Sequence, residues 1–292
     1  MSNSWVPLHL RRNDGGGLTG AVEGVPPYMS KSVWAWVDQA FIVGTSSYSN
    51  GHFDLELVRK VELALKKEVP IDTWDLDFAL EELHKIFSDE NELLDLVHHL
   101  LKLSSNWASQ LDLEDILSLA GSAWRVDMGE GRVGLVRRVL PELEETLNQT
   151  ATQDPQASEF LASAYANTYG RDPNYDHAFD LAIKAVEQAS IPRLNLSSKY
   201  KTLGRVMEHF RDGKFGLLVP MPEDHSSTRY TLLADACEVL WRSNEWRHAG
   251  KAAKAIPVSK EQAEVATALA TILVYLMTSP GLAGVQETTL DT

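Results

Sequence analysis

Residues 240–254 read LWRSNEWRHAGKAAK. These residue types suit one chemistry in particular, the cleavage of RNA without a metal. A histidine with a pKa near neutrality takes the proton from a ribose 2′-hydroxyl or returns one to the leaving oxygen. An arginine fork stabilises the charge that builds on the phosphate. The product would be a cyclic phosphate. Arg242 and His248, with five residues between them, are the candidate catalytic pair. Glu245 would orient His248 or favour its charged form. Arg247, Lys251 and Lys254 would hold the substrate's phosphates. The competing reading is a solvated salt-bridge cluster of Arg242, Glu245 and Arg247, pinned by Trp241 and Trp246. One histidine per chain would have to both remove and supply a proton. A homodimer that sets two copies of the site across an isologous interface is therefore expected.

Convergence of Arg242 and His248 places a demand on the backbone. On a regular helix these positions lie about 120° apart. Ser243, Asn244 and Gly250 weaken a helix, so a structured connection is expected over 243–257. It would join a helix at 228–241 to a last helix near 260–278. That last helix has the clearest ends: Ser259 with Gln262 makes a capping box, and Ser279-Pro280-Gly281 stops it. Ala266, Leu269, Ala270, Leu273, Val274 and Met277 form its apolar stripe.

Helical spacing also predicts elements at 28–43, 54–67, 75–87, 91–104, 155–168, 173–189 and 198–211. Another is expected from Pro141 to about Asn148. Asp75 and Ser88 stand at N-cap positions. Gly170 and Gly213 stand just past helix ends. The stretch AWRVDMGEGRVGLVRRV breaks the pattern and reads as a β-hairpin near 124–138, with Gly129 and Gly131 at its turn. Residues 1–27 look extended, with Trp5 and Leu8 as anchors. The fold class is mainly α, with helical bundles and one small hairpin. Two domains are expected, at 1–105 and 106–292.

Other chemistries lack their residues. No glycine-rich turn ends in Gly-Lys-Ser/Thr, no Gly-x-Ser-x-Gly elbow is present, and no Cys/His cluster has metal-ligand spacing, so no metal or cofactor is expected. His98 and His99 are neighbours on a helix and cannot both face one ion; one is expected packed and the other exposed. Cys237, the single cysteine, reads as a small buried hydrophobe. One cysteine excludes an internal disulfide framework and suits the cytoplasm. No apolar run is long enough to span a membrane. The net charge of −14 argues against indiscriminate nucleic-acid binding. Residues 191–260, however, hold 12 Lys/Arg and 7 Asp/Glu, a local +5 that leaves −19 on the rest. The opening stretch lies inside this basic portion.

Several segments share a likeness: LAGSAWRV (119–126), RRVLPELEETL (137–147), AYANTYGRDPNYDHAFDLAIKAVE (164–187), KTLGRVMEHF (201–210), RHAG (247–250) and VSKEQAEVATALATILVYL (258–276). Together they resemble the C-terminal region of abortive-infection-type bacterial and phage proteins related to the HEPN superfamily. The resemblance implies a helical bundle. It also implies a metal-independent RNase that acts as a dimer and carries an Arg, a few residues and then a His, here Arg242 and His248. The chain departs from the pattern at Ser243, where active members carry Asn, Asp or His, and at Ala249, which separates His248 from Gly250. Residues 18–37 bear a weaker likeness to N-terminal domains of the same group. Three functions follow as expectations. The first is a phage-defence effector with RNase activity. The second is a non-catalytic helical module that binds RNA or a phage or host protein. The third is a phage or prophage accessory or structural protein.

Overall fold

In a computed structural model, the structure describes residues 22–44, 51–103, 107–129, 132–138, 146, 149–150, 152–196, 202–213, 215–218, 228–248, 257–281 and 283–284. Of these, the side chains of 107, 108, 132, 229, 243–248 and 284 are outside the description. Trp5, Leu8 and the stretches expected as helix at 141–145 and as connection at 249–256 lie outside the described residues.

The fold is mainly α, as expected. The helices are α1 Pro27–Phe41, α2 Leu55–Leu65, α3 Leu76–Ile86, α4 Glu90–Leu103 and α5 Trp107–Leu119, followed by α6 Pro155–Tyr169, α7 Tyr175–Ser190, α8 Leu203–Arg211, α9 Thr228–His248 and α10 Lys260–Thr278. The strands are β1 Ile42–Val43, β2 His52–Phe53, β3 Trp124–Gly129, β4 Arg132–Arg137, β5 Gly216–Leu217 and β6 Ala283–Gly284. They form three two-stranded antiparallel pairs among the described residues. The expected hairpin is β3–β4, in register from Trp124 opposite Arg137 to Gly129 opposite Arg132.

Polar caps set most helix starts. Asp75 accepts from the Phe78 amide at 2.9 Å. Asp154 caps α6, which begins at Pro155, and Asn174 caps α7. Ser259 and Gln262 form the full capping box of α10. Each such side chain satisfies an amide that the first helical turn leaves without a partner. Two expected caps differ. Asp89, not Ser88, opens α4, taking the amides of Asn91 and Glu92 on one oxygen. Ser and Asp cap about equally well, and the chain turns one residue later. Gly170 ends α6 in extended backbone, with φ −71 and ψ 167, because Asp172-Pro173 must run out toward the cap of α7. Gly213 does adopt the left-handed conformation, φ 71.

The chain divides into two compact units, Met1–Arg138 and Val139–Thr292. This is later than the boundary expected after residue 105. The reason is that α5 and the hairpin bury their apolar residues in the first unit. Leu113, Leu117, Trp124, Val126 and Leu135 join one core with Val37 and Phe41 of α1 and Leu94 and Leu101 of α4. Glu114 of α5 takes the Val126 amide at 2.7 Å and the Arg138 guanidinium at 2.6 Å, which fastens the hairpin to its helix. His98 of α4 is buried, and its Nδ1 accepts from the Leu135 amide at 3.0 Å. His99 beside it is half-buried, with Nδ1 at 2.9 Å from the Asp95 carbonyl oxygen.

The second unit packs α6, α7 and α10 together. Ala178, Ala182, Ala185 and Ala189 line one side of α7, and Ala164, Ala266 and Ala270 join them in the core. Small side chains let the helix backbones approach closely. Thr168 and Thr267 pair their hydroxyls at 2.9 Å inside this layer. Neither hydroxyl is left unsatisfied, as burial requires. The amphipathic α8 buries Leu203, Val206 and Phe210, at i, i+3 and i+7, and packs on α9. Among the described residues, no helix is long and apolar enough to cross a membrane.

Candidate functional site

The expected break at 243–257 does not begin at Ser243: the α-helix runs on to His248. Serine and asparagine cost an α-helix only about half a kcal/mol each relative to alanine, which a helix already packed by Leu233, Ala234, Cys237 and Leu240 absorbs. The consequence for the site is direct. Arg242 and His248 occupy positions about 120° apart around one regular helix and about 9 Å apart along it. Within one chain, the backbone does not turn them toward a common point. Glu245 and Arg247 lie on the same helix, with side chains outside the description. Lys251 and Lys254 lie outside the described residues.

What the structure does bring together is a different set. Glu238 of α9 receives two guanidinium groups on separate oxygens. Arg242 Nε donates to Oε1, and the Arg211 fork from α8 donates to Oε2. The first partner is one helical turn away, a spacing legible in the sequence. The second comes from another helix and is not. Arg242 and Arg211 together hold the Glu238 carboxyl below the usual carboxylate range, with the Arg242 hydrogen bond as the largest cause. Arg242 is 72% exposed and Arg211 44% exposed, so both guanidinium groups reach water while sharing one carboxylate.

Tight packing places this edge. Gly204 of α8 faces Trp241, and a methyl group there would lie 3.2 Å from the indole ring. The absence of a side chain lets α8 and α9 close on each other, so that Arg211 reaches Glu238. The Leu203 amide at the start of α8 donates to Glu187 Oε1 of α7 at 2.7 Å. Burial pushes the Glu187 carboxyl up, while that amide pulls the other way. Arg205, also on α8, pairs with Glu208 at 2.6 Å.

The single cysteine is structural. Cys237 is fully buried, and burial pushes its thiol up to about 12, so it is no nucleophile at neutral pH. Among the described residues, no group of three or more His, Cys, Asp or Glu side chains could hold a metal ion. No family model, no curated protein and no solved structure matches this chain.

Proposed function

We propose that the chain is a helical binding module of the abortive-infection type. Its second unit engages RNA along the basic edge of α8 and α9 and does not cleave it within one chain. The observation that supports this reading is the pair Arg211 and Arg242, carried by two helices and gathered on one carboxylate. Their exposed forks lie within residues 191–260, which carry a net +5 in an acidic chain. Two phosphate oxygens can accept an arginine fork bidentately, as a carboxylate does, so an RNA backbone would compete for these forks. Trp241, next to Arg242 in sequence and half-buried against Gly204, keeps part of its indole exposed for base stacking. The separation of Arg242 and His248 along an unbroken helix favours binding over catalysis. Its place of action in this reading is the cytoplasm, as a guard against phage.

The test is expression of the wild-type chain beside His248→Ala and Arg211→Gln/Arg242→Gln, with total-RNA analysis and binding of labelled single-stranded RNA. The reading expects intact RNA in every case, binding unchanged by His248→Ala, and binding lost in the double arginine variant. RNA fragments with cyclic phosphate ends that disappear in His248→Ala would refute it. That result would assign cleavage to a dimer that combines Arg242 of one copy with His248 of the other. Absence of RNA binding at low salt would assign the edge to a protein partner.

A further inference from the structure

The first unit carries a surface that the RNA reading does not use. Trp74 and Phe78, at the N-terminal end of α3, are 60% and 58% exposed. Large aromatic side chains bury more apolar area than any others, and they are enriched where proteins meet partners. The backbone holds this pair outward by design of its turn. The Thr73 hydroxyl accepts from the Asp75 amide at 3.1 Å, and Asp75 in turn caps the Phe78 amide. Trp74 is therefore fixed at the residue before the cap, with Phe78 in the first turn. One edge of the indole is braced by His52 of β2, ring centroids 5.5 Å apart and 61° inclined, while the rest faces water.

The charge next to the pair in sequence is acidic. Between Lys67 and Lys85 the sequence has no Lys or Arg, and it carries Glu68, Asp72, Asp75, Asp77, Glu81 and Glu82. Lys85 pairs with Glu81 and Glu82, so Asp72, Asp75 and Asp77 are the carboxylates the surface offers. Asp72, Asp75 and Asp77, which flank Trp74 and Phe78 in sequence, are exposed. An aromatic face attracts a guanidinium through its quadrupole, and a carboxylate takes the same group by a bidentate hydrogen bond. Phosphate would meet repulsion from these aspartates. We infer that Trp74, Phe78 and the aspartates around them form the docking surface for an arginine-bearing basic segment of a protein partner.

The experiment uses the full chain and two fluorescent peptides of equal length, one with arginines and one with glutamates in their place. Fluorescence anisotropy is read at physiological salt, where general attraction to an acidic protein is screened. The arginine peptide should bind and the glutamate peptide should not. Trp74→Ala/Phe78→Ala leaves the net charge unchanged and should weaken binding by at least about tenfold, as loss of interface anchors does. Asp72→Asn/Asp77→Asn keeps the rings and should also weaken it. Because both aromatic side chains are mostly exposed, the alanine variant should keep the wild-type melting temperature within a few degrees. Trp74→Phe should recover most of the affinity. Equal affinity of wild type and the alanine variant would overturn the proposal, since attraction would then come from net charge alone. So would failure of the arginine peptide to bind. A dimer of the wild-type chain that is lost in the alanine variant would assign the patch to a second copy instead. None of these readings depends on RNA binding by the second unit.

Discussion

Gly134→Ala should cost the first unit more than any surface change, although one methyl is all it adds. The added carbon would lie 2.8 Å from His98 Cε1 and 2.9 Å from Nδ1, well inside contact distance. Gly134 sits within β4 opposite Asp127. Ordinary strand backbone accepts alanine without conformational strain, so the cost is the clash. The imidazole is 4% exposed and surrounded by the core, so it cannot swing into solvent. If the ring retreats, its 3.0 Å bond to the Leu135 amide is stretched, and a buried donor is left poorly satisfied. Overpacking costs roughly 1–3 kcal/mol and a lost buried hydrogen bond roughly 1–3 kcal/mol. The two share one displacement, so roughly 2–4 kcal/mol is expected rather than their full sum. At about 4 °C per kcal/mol for a unit of this size, the first unit should melt about 8–16 °C earlier. Circular dichroism melting reads this, and amide exchange at Leu135 reports the bond directly. In a His98→Ala background the added methyl has room, and its cost should fall to a small fraction of that value. A Gly134→Ala protein that melts with the wild type, or an equal cost in both backgrounds, would refute the steric reasoning.

Three further outcomes are expected. Cys237, buried with its thiol pushed up to about 12, should react with a thiol reagent only as fast as the second unit opens, so labelling should follow its unfolding in denaturant; fast labelling of the native chain would contradict its burial. Glu187 has its carboxyl raised by burial, so it binds a proton more readily folded than unfolded. Its contribution is therefore fully present below the ordinary carboxylate range and is lost as pH rises through the raised value. Glu187→Gln keeps an oxygen for the Leu203 amide and removes that loss, so the melting temperature should gain more at neutral pH than at acid pH; a uniform gain or a loss at both would contradict the sign. Gly204→Ala, with its methyl 3.2 Å from Trp241, should push α8 from α9 and weaken RNA binding without touching a charge; unchanged RNA affinity would separate the helix spacing from the site.

Much of the fold is local, and local features are legible in a sequence. Asp75, Ser259 and Gln262 cap helices because their side chains reach amides three residues away. The β3–β4 hairpin pairs for equally short-range reasons, its strands ending at Gly129 and resuming at Arg132. The domain boundary was not legible, since it depends on Leu113, Trp124 and Leu135 meeting residues of α1 and α4 far away in sequence. α9 runs past the end that the sequence predicts, because Ser243 and Asn244 are weak breakers and packing earlier in the helix outweighs them. The candidate site divides in the same way. Glu238 and Arg242 are one turn apart and could be paired by eye. Arg211 joins them only once Gly204 lets α8 lie against Trp241. The paired arginines therefore emerged from tertiary packing, while the Arg242 and His248 spacing that attracts attention in the sequence falls on a continuous helix.

The most direct test of the account is the salt dependence of single-stranded RNA affinity, in wild type and in Arg211→Gln/Arg242→Gln, with both proteins shown to melt alike. Each phosphate contact contributes about 0.7 to the slope of log affinity against log salt on a single strand. The account predicts weaker binding in the double variant and a slope shallower by about 1.4, two contacts' worth. Neutralising Lys60 and Lys85, exposed lysines of the first unit, should leave the slope unchanged. The same slope and affinity in the double arginine variant as in wild type would contradict the claim that this edge binds RNA.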